Sequence, residues 1–153
     1  MSATIELVNA SGMRGLPLRS DFKRWAAAAV SAVPSAPSRS KVSIRIVDAV
    51  EGASLNKQYR HKDYATNVLS FPVPAELIAT GELGDIALCA PVVLSEAEQQ
   101  QKAPADHWAH LVVHGVLHLL GYDHENNKDA RKMEGLETTI LASLGIRDPY
   151  HQH

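Results

Sequence analysis

Alternating apolar and polar positions predict two half-buried β-strands in the first third of the chain. The segments Thr4–Asn9 and Lys41–Val47 carry β-branched or apolar side chains at every second position, which is typical of a strand with one buried face. Two shorter runs, Val68–Phe71 and Asp85–Cys89, are bounded by proline or glycine and predict two further strands.

Apolar residues at helical spacing predict about five helices between and after these strands. Ser20 is expected to cap the first helix, whose apolar positions recur every three or four residues up to about Ala32. The remaining predicted helices cover the following segments: Ala53–Tyr59, Pro91–Gln101, Pro104 to the stop at Gly121, and Asn127–Leu144. Because strands and helices mix without a regular strand–helix repeat, we predict an α+β fold. A small mixed sheet of about four strands should pack with about five helices in a single domain, 1–153.

Composition and charge narrow the class of protein. A chain of 153 residues fits one domain, and its net charge of −2 argues against a uniformly basic nucleic-acid-binding surface while allowing a local basic patch. The single cysteine, Cys89, lies in an apolar stretch, where a buried free thiol is expected and a reducing compartment is favoured. Residues 1–20 lack the pattern of a signal peptide, and the longest apolar helical run is too short to cross a bilayer. A cytoplasmic location without membrane association is therefore expected.

Histidine spacing near residue 114 predicts a metal site. His114 and His118 are four residues apart on a predicted helix, so they share a face with an axial offset of about 6 Å and can reach one ion. His110 is offset from His118 by about 12 Å, too far for both to bind the same ion. The third ligand must come from a chain that turns back, and Gly121 permits that turn three residues before His124.

The spacing His-x3-His-x2-Gly-x2-His also occurs in metzincin-type zinc proteases. Three imidazoles leave a fourth coordination position open, as in catalytic rather than structural zinc sites. However, the glutamate that serves as general base in the proteases is replaced here by Gly115. The sequence therefore predicts one zinc ion on His114, His118 and His124 and argues against peptide hydrolysis. Asp123 could orient a ligand imidazole, or it could be an exposed carboxylate in a turn.

The stretch from His114 to His124, which reads HGVLHLLGYDH, resembles the signature of the YbeY family of bacterial rRNA maturation factors. Other blocks match the family in order over roughly residues 40–145. These blocks are Leu55-Asn56, Tyr59-Arg60, Thr66–Pro72, Leu83–Ile86 and the last helix around Met133 and Glu137.

The resemblance implies a single-domain α+β fold and a zinc-dependent endoribonuclease that acts on single-stranded RNA. It further implies roles in maturing the 3′ end of small-subunit rRNA and in ribosome quality control, with the ribosome or small-subunit proteins as partners and no DNA. By position, Arg60 matches a functional arginine of the family, and it lies in the densest basic cluster of the chain, Lys57 to Lys62. Asn67 stands where the family usually has aspartate, so a role that needs a negative charge there is in doubt.

Two alternatives remain open from the sequence. The chain could be a non-catalytic ribosome-assembly protein with a structural metal, which a fourth ligand from Asp85 or Cys89 would favour. It could also be a metallohydrolase that acts on another substrate. His107 and His110 are expected to be a helix-surface residue and a core contact, not ligands.

Overall fold

The computed structural model describes residues 2–61, 65–123 and 126–150. Within these ranges four strands, five α-helices and one short 3-10 helix follow one another along the chain. The strands are β1 (Ser2–Asn9), β2 (Arg39–Val47), β3 (Val68–Pro72) and β4 (Glu82–Cys89). The α-helices are α1 (Arg19–Ser31), α2 (Ala49–Arg60), α3 (Ala90–Gln99), α4 (Pro104–Leu119) and α5 (Asn127–Ser143), and the 3-10 helix is Ala75–Thr80. The predicted α+β class is confirmed.

The four strands form one mixed sheet in the order β1-β2-β4-β3. β1 pairs with β2 and β2 pairs with β4 in parallel, whereas β3 pairs with β4 in the antiparallel direction. The β3–β4 pairing runs from Val68, which lies opposite Leu88, to Pro72, which lies opposite Gly84. Because β3 pairs with β4 alone, it is one of the two edge strands, a position at which a terminal proline is tolerated.

One face of the sheet carries the hydrophobic core, where α1 and α4 pack against the strands and α5 packs on α4 and α1. Phe22 of α1 packs edge-on against Trp25 and against Trp108 of α4, with ring centroids 5.4 and 5.8 Å apart. Both tryptophans are buried, so they serve packing rather than base stacking. α4 also contacts β3 and β4, and it is fixed on three sides by the sheet and its neighbouring helices.

The opposite face of the sheet is covered in part by α2. Gly52 of α2 lies against Cys89 of β4, where a Cβ atom would be 3.0 Å from the cysteine Sγ. Cys89 is buried as predicted, and burial raises the pKa of its thiol. None of the helices in the described ranges has the length and apolarity needed to cross a membrane.

Three local predictions are wrong. Ser20 does not cap α1, because the helix already begins at Arg19 and Leu18 is its N-cap residue. The Asp21 carboxylate in the first turn accepts a hydrogen bond of 2.9 Å from the Leu18 N–H. α2 starts at Ala49, not Ala53, since the Asp48 side chain caps it by accepting from the Glu51 N–H at 2.8 Å. His107 is buried, not on the helix surface.

Candidate metal centre

His114 and His118 lie close together on α4, as the four-residue spacing predicts. Their ring centroids are 4.6 Å apart and the ring planes are inclined by 78°. Two imidazoles bound tetrahedrally to one zinc at about 2.1 Å would have centroids roughly 5 Å apart. The pair is therefore spaced as two ligands of one ion would be.

Gly115, between the two histidines, faces the sheet. A Cβ atom at this position would lie 2.9 Å from the Ile86 Cδ1 atom in β4. A longer side chain here would meet the core and would point away from the histidines. The glutamate of the protease signature therefore has no room at this position, which agrees with the argument against peptide hydrolysis.

The end of α4 turns as predicted. Gly121 adopts a φ of 99°, and its N–H donates to the His118 carbonyl at 3.0 Å, while the Tyr122 N–H donates to the Leu117 carbonyl at 3.0 Å. Such a left-handed residue ends a helix and redirects the chain. His124, the predicted third ligand, lies outside the described residues.

A buried carboxylate on α5 forms hydrogen bonds with two histidines of α4, His110 and His114. Glu137 has no exposed side-chain surface, and its Oε1 is 2.5 Å from the His114 Nδ1. Its Oε2 is 3.2 Å from the His110 Nε2 and also accepts a hydrogen bond from the Tyr150 hydroxyl. Three donors therefore converge on one carboxylate.

These donors keep Glu137 ionised. Burial alone would raise the pKa of Glu137, but the hydrogen bonds from His110, His114 and Tyr150 outweigh burial and lower the pKa to about 2. Burial and the neighbouring Glu137 charge raise the pKa of Tyr150, so its hydroxyl stays protonated and donates. A buried charge that is compensated in this way is compatible with a stable fold.

The ionised carboxylate fixes the tautomers of the two rings. A carboxylate only accepts hydrogen bonds, so the His114 Nδ1 and the His110 Nε2 must each carry the proton. In a neutral His114 the lone pair is then on Nε2, on the side of the ring away from Glu137. The donor set thus fits zinc, because His114 offers a bare imidazole nitrogen from a side chain that is 21% exposed.

A second set of residues also has ligand atoms close together. Atoms of His110, His114 and Glu137 all lie within 4.8 Å of one another. Coordination through the His110 Nε2 would move the ring proton to Nδ1, which is buried and has no hydrogen-bond partner within the ranges that the structure describes. An unsatisfied buried donor costs about 1–3 kcal/mol. The protonation pattern therefore favours a hydrogen-bonded cluster over a metal site at this position.

Arg60, the predicted functional arginine, lies on α2 and not on α4 or α5, the helices that carry the histidines and Glu137. Arg60 is exposed at the last residue of α2. The neighbouring Tyr59 packs on Phe71 of β3, with ring centroids 4.8 Å apart. α4 contacts β3 from the core face, so Arg60 and the histidines flank the same edge strand. Lys62, from the predicted basic cluster, lies outside the described residues.

Asp85 and Cys89 are poorly placed to supply a fourth ligand. Gly84 and Ile86 face α4, since a Cβ atom on Gly84 would meet Leu119 of α4. Side chains alternate along a strand, so Asp85 and Cys89 face the other side of the sheet. The structure therefore does not support a closed four-ligand site that includes either residue.

Asn67 donates a hydrogen bond of 3.0 Å to the Glu96 Oε1 of α3, and the same oxygen is 2.9 Å from the His107 Nε2 of α4. An aspartate at position 67 would set two carboxylates against each other. Asn67 thus serves here as a hydrogen-bond donor that links the start of β3 to α3.

Sequence reasoning did not identify Glu137 and Tyr150 as parts of this site. A signal for Glu137 was present, because it occupies an apolar position of α5, in register with the buried Met133, Ile140 and Leu141. A carboxylate at such a position must have donors nearby. Nothing in the local sequence marks Tyr150.

The amino-acid sequence matches a known protein family. Residues 13–145 match the family model described as "Endoribonuclease YbeY". The protein of that name from Alkalilimnicola ehrlichii is 55% identical over 139 residues, which cover 89% of this chain and 83% of the relative. The one from Nitrosococcus oceani is 48% identical over 153 residues, which cover 98% of both chains. A third such relative, from Stenotrophomonas maltophilia, is 56% identical over 141 residues, covering 89% of this chain and 86% of its own length.

The fold also matches a solved structure. The solution structure of a Thermotoga maritima protein superposes with a TM-score of 0.59 at 23% identity, covering 97% of this chain and all of that one. At this identity the match supports the fold alone.

Proposed function

The chain belongs to the YbeY family, and on that premise we propose that it is a zinc-dependent endoribonuclease that cleaves single-stranded RNA in ribosomal RNA processing. The proposed substrate is the 3′ end of the small-subunit rRNA precursor, and the proposed setting is the cytoplasm, in contact with the ribosome or its small-subunit proteins. The proposed metal ligands are His114, His118 and His124.

The observation that carries this proposal is the close pair of imidazoles on α4. His114 and His118 have centroids 4.6 Å apart, and the chain turns at Gly121, three residues before His124 in the sequence. A zinc ion on three such donors would supply positive charge and Lewis acidity beside a phosphodiester. The partly exposed His114 ring gives a substrate access that a closed structural site would lack.

Arg60 is proposed as a phosphate-binding residue. Its guanidinium group is permanently charged and can donate two parallel hydrogen bonds to a phosphate. It is exposed at the end of α2, so its guanidinium donors can reach RNA. The family resemblance is the reason for choosing this arginine over others.

A non-catalytic assembly protein with a structural metal is the alternative. The cluster of His110, His114 and Glu137 favours it, because a metal held there would be buried beside a carboxylate with no exposed surface. The ring protonation pattern argues against this arrangement, and experiment can separate the two.

The test is cleavage of a single-stranded RNA and a matched duplex by the purified protein, with zinc content measured on the same samples. We expect cleavage of the single strand only, with loss of both cleavage and zinc in His114→Ala. Arg60→Ala should lose most cleavage while it keeps zinc. Arg24→Ala removes an exposed arginine of α1 that pairs with Asp21, and it should cleave as the wild type does.

Cleavage that is unchanged in both His114→Ala and Arg60→Ala would refute the enzymatic proposal. The role in rRNA processing is tested in cells that lack the protein. These cells should accumulate small-subunit rRNA with an unprocessed 3′ end, and wild-type protein but not His114→Ala should restore the mature end. Full restoration by His114→Ala would favour the assembly protein.

A further inference from the structure

We propose that Glu137 is a positioning residue of the metal centre, which orients the His114 ring by accepting the Nδ1–H hydrogen bond so that Nε2 faces the ion. This inference rests on the proposed three-histidine site and concerns a residue that lies outside that ligand set.

The geometry shows a carboxylate that is itself held rigidly. Glu137 projects from α5 into the packing interface with α4 and has no exposed side-chain surface. One oxygen is 2.5 Å from the His114 Nδ1, while the other is bound by the His110 Nε2 and the Tyr150 hydroxyl. Because both oxygens are engaged, the carboxylate cannot rotate without breaking a hydrogen bond.

A rigid carboxylate behind an imidazole affects metal binding in two ways. It selects the tautomer that leaves Nε2 bare, and it makes that nitrogen a stronger ligand by drawing on the Nδ1 proton. It also restricts the rotation of the His114 ring, so less conformational freedom is lost when the ion binds. The His114 ring is the one whose Nδ1 lies 2.5 Å from Glu137, so the effect should act through His114.

The fold provides a matched control on the same helix. Glu96 of α3 accepts from the His107 Nε2 of α4 at 2.9 Å, so this is also a carboxylate–imidazole pair whose imidazole lies on α4. His107 lies seven residues before His114, about 10 Å along the helix, and is not a proposed ligand. A purely structural role for carboxylate–imidazole pairs would affect both variants alike.

The experiment measures the zinc dissociation constant of the folded protein by competition with a chromophoric chelator. Glu137→Gln keeps the shape of the side chain but removes its charge, and it should weaken zinc binding by about tenfold to 100-fold. Glu96→Gln should change the constant by less than about twofold, because its pair is remote from the ion. The proposal would be overturned if Glu137→Gln and Glu96→Gln bound zinc with the same affinity.

His118→Ala separates failure of this inference from failure of the proposed function. If the wild type binds zinc tightly and His118→Ala does not, the three-histidine site stands, and Glu137→Gln alone decides the role of Glu137. If His118→Ala retains wild-type affinity, the ligand set is wrong and both proposals fail.

A second measurement needs no variant and therefore does not depend on the folding of Glu137→Gln. Long-range 1H–15N spectra of the metal-free wild type report which ring nitrogen of each histidine carries the proton. We expect His114 to be protonated on Nδ1. Protonation of His114 on Nε2 alone would overturn the proposal.

Discussion

Gly115→Ala tests how closely α4 must approach the sheet that supports its histidines. A Cβ atom at this position would lie 2.9 Å from the Ile86 Cδ1 atom, 3.2 Å from Cγ2 and 3.3 Å from Cγ1. Ile86 is buried in the middle of β4 and cannot easily move aside. Inserting a methyl group into such a core costs about 1–3 kcal/mol, and the gain from replacing glycine inside a helix is about 1 kcal/mol. The net expectation is a loss of between zero and about 2 kcal/mol.

Gly135→Ala is the matched control for the helix term. Gly135 lies on an exposed position of α5, and a Cβ atom there would meet nothing within 4 Å. This variant should therefore gain about 1 kcal/mol, so that the two substitutions differ by about 1–3 kcal/mol.

The assay is urea unfolding of the metal-free proteins, since bound metal would add its own stabilisation. The reasoning would be refuted if Gly115→Ala raised the free energy of unfolding by as much as Gly135→Ala does. As a further check, Ile86→Val removes the Cδ1 atom and should cost about 0.5–1.5 kcal/mol in the wild type. It should cost less when Gly115 is already alanine, because it then relieves the clash.

Two further predictions concern the hydrogen bonds around Glu96. Asn67→Asp replaces the donor to Glu96 with a second carboxylate and should lower the free energy of unfolding at neutral pH by about 1–3 kcal/mol; urea unfolding at neutral pH that showed no loss would contradict this role for Asn67. Burial lowers the pKa of His107 below 6.5, although the hydrogen bond to Glu96 opposes the shift, so the unfolded state takes up the proton first as the pH falls. Stability should therefore decrease as the pH drops below about 6.5, and the dependence should be shallower in His107→Gln; parallel pH profiles would show that His107 does not contribute.

Interactions that are local in sequence could be predicted. The four-residue spacing of His114 and His118 depends only on helix geometry, and the turn at Gly121 depends on one residue's backbone preference. The four strands were predicted for the same reason, from the alternation within β1 and β2 and from the proline and glycine that bound β3 and β4. The start of α2 could also have been found, since the capping aspartate Asp48 is visible in the sequence.

Interactions between distant segments could not be predicted. Glu137 is 23 residues from His114 in sequence, and their contact depends on how α5 packs across α4. The insertion of β4 between β2 and β3 is likewise decided by tertiary packing. The burial of His107 was not expected for the same reason. Its partner, Glu96, lies on α3, and the contact between them forms only when α3 packs against α4.

The central claim is that His114 and His118 bind one zinc ion while Glu137 stays outside its coordination shell. A crystal of the zinc-loaded protein, measured at the zinc absorption edge, tests this directly through its anomalous difference map. The account predicts a single strong peak about 2.1 Å from the Nε2 atoms of both histidines. A peak bound by the Glu137 carboxylate and His110 would contradict it.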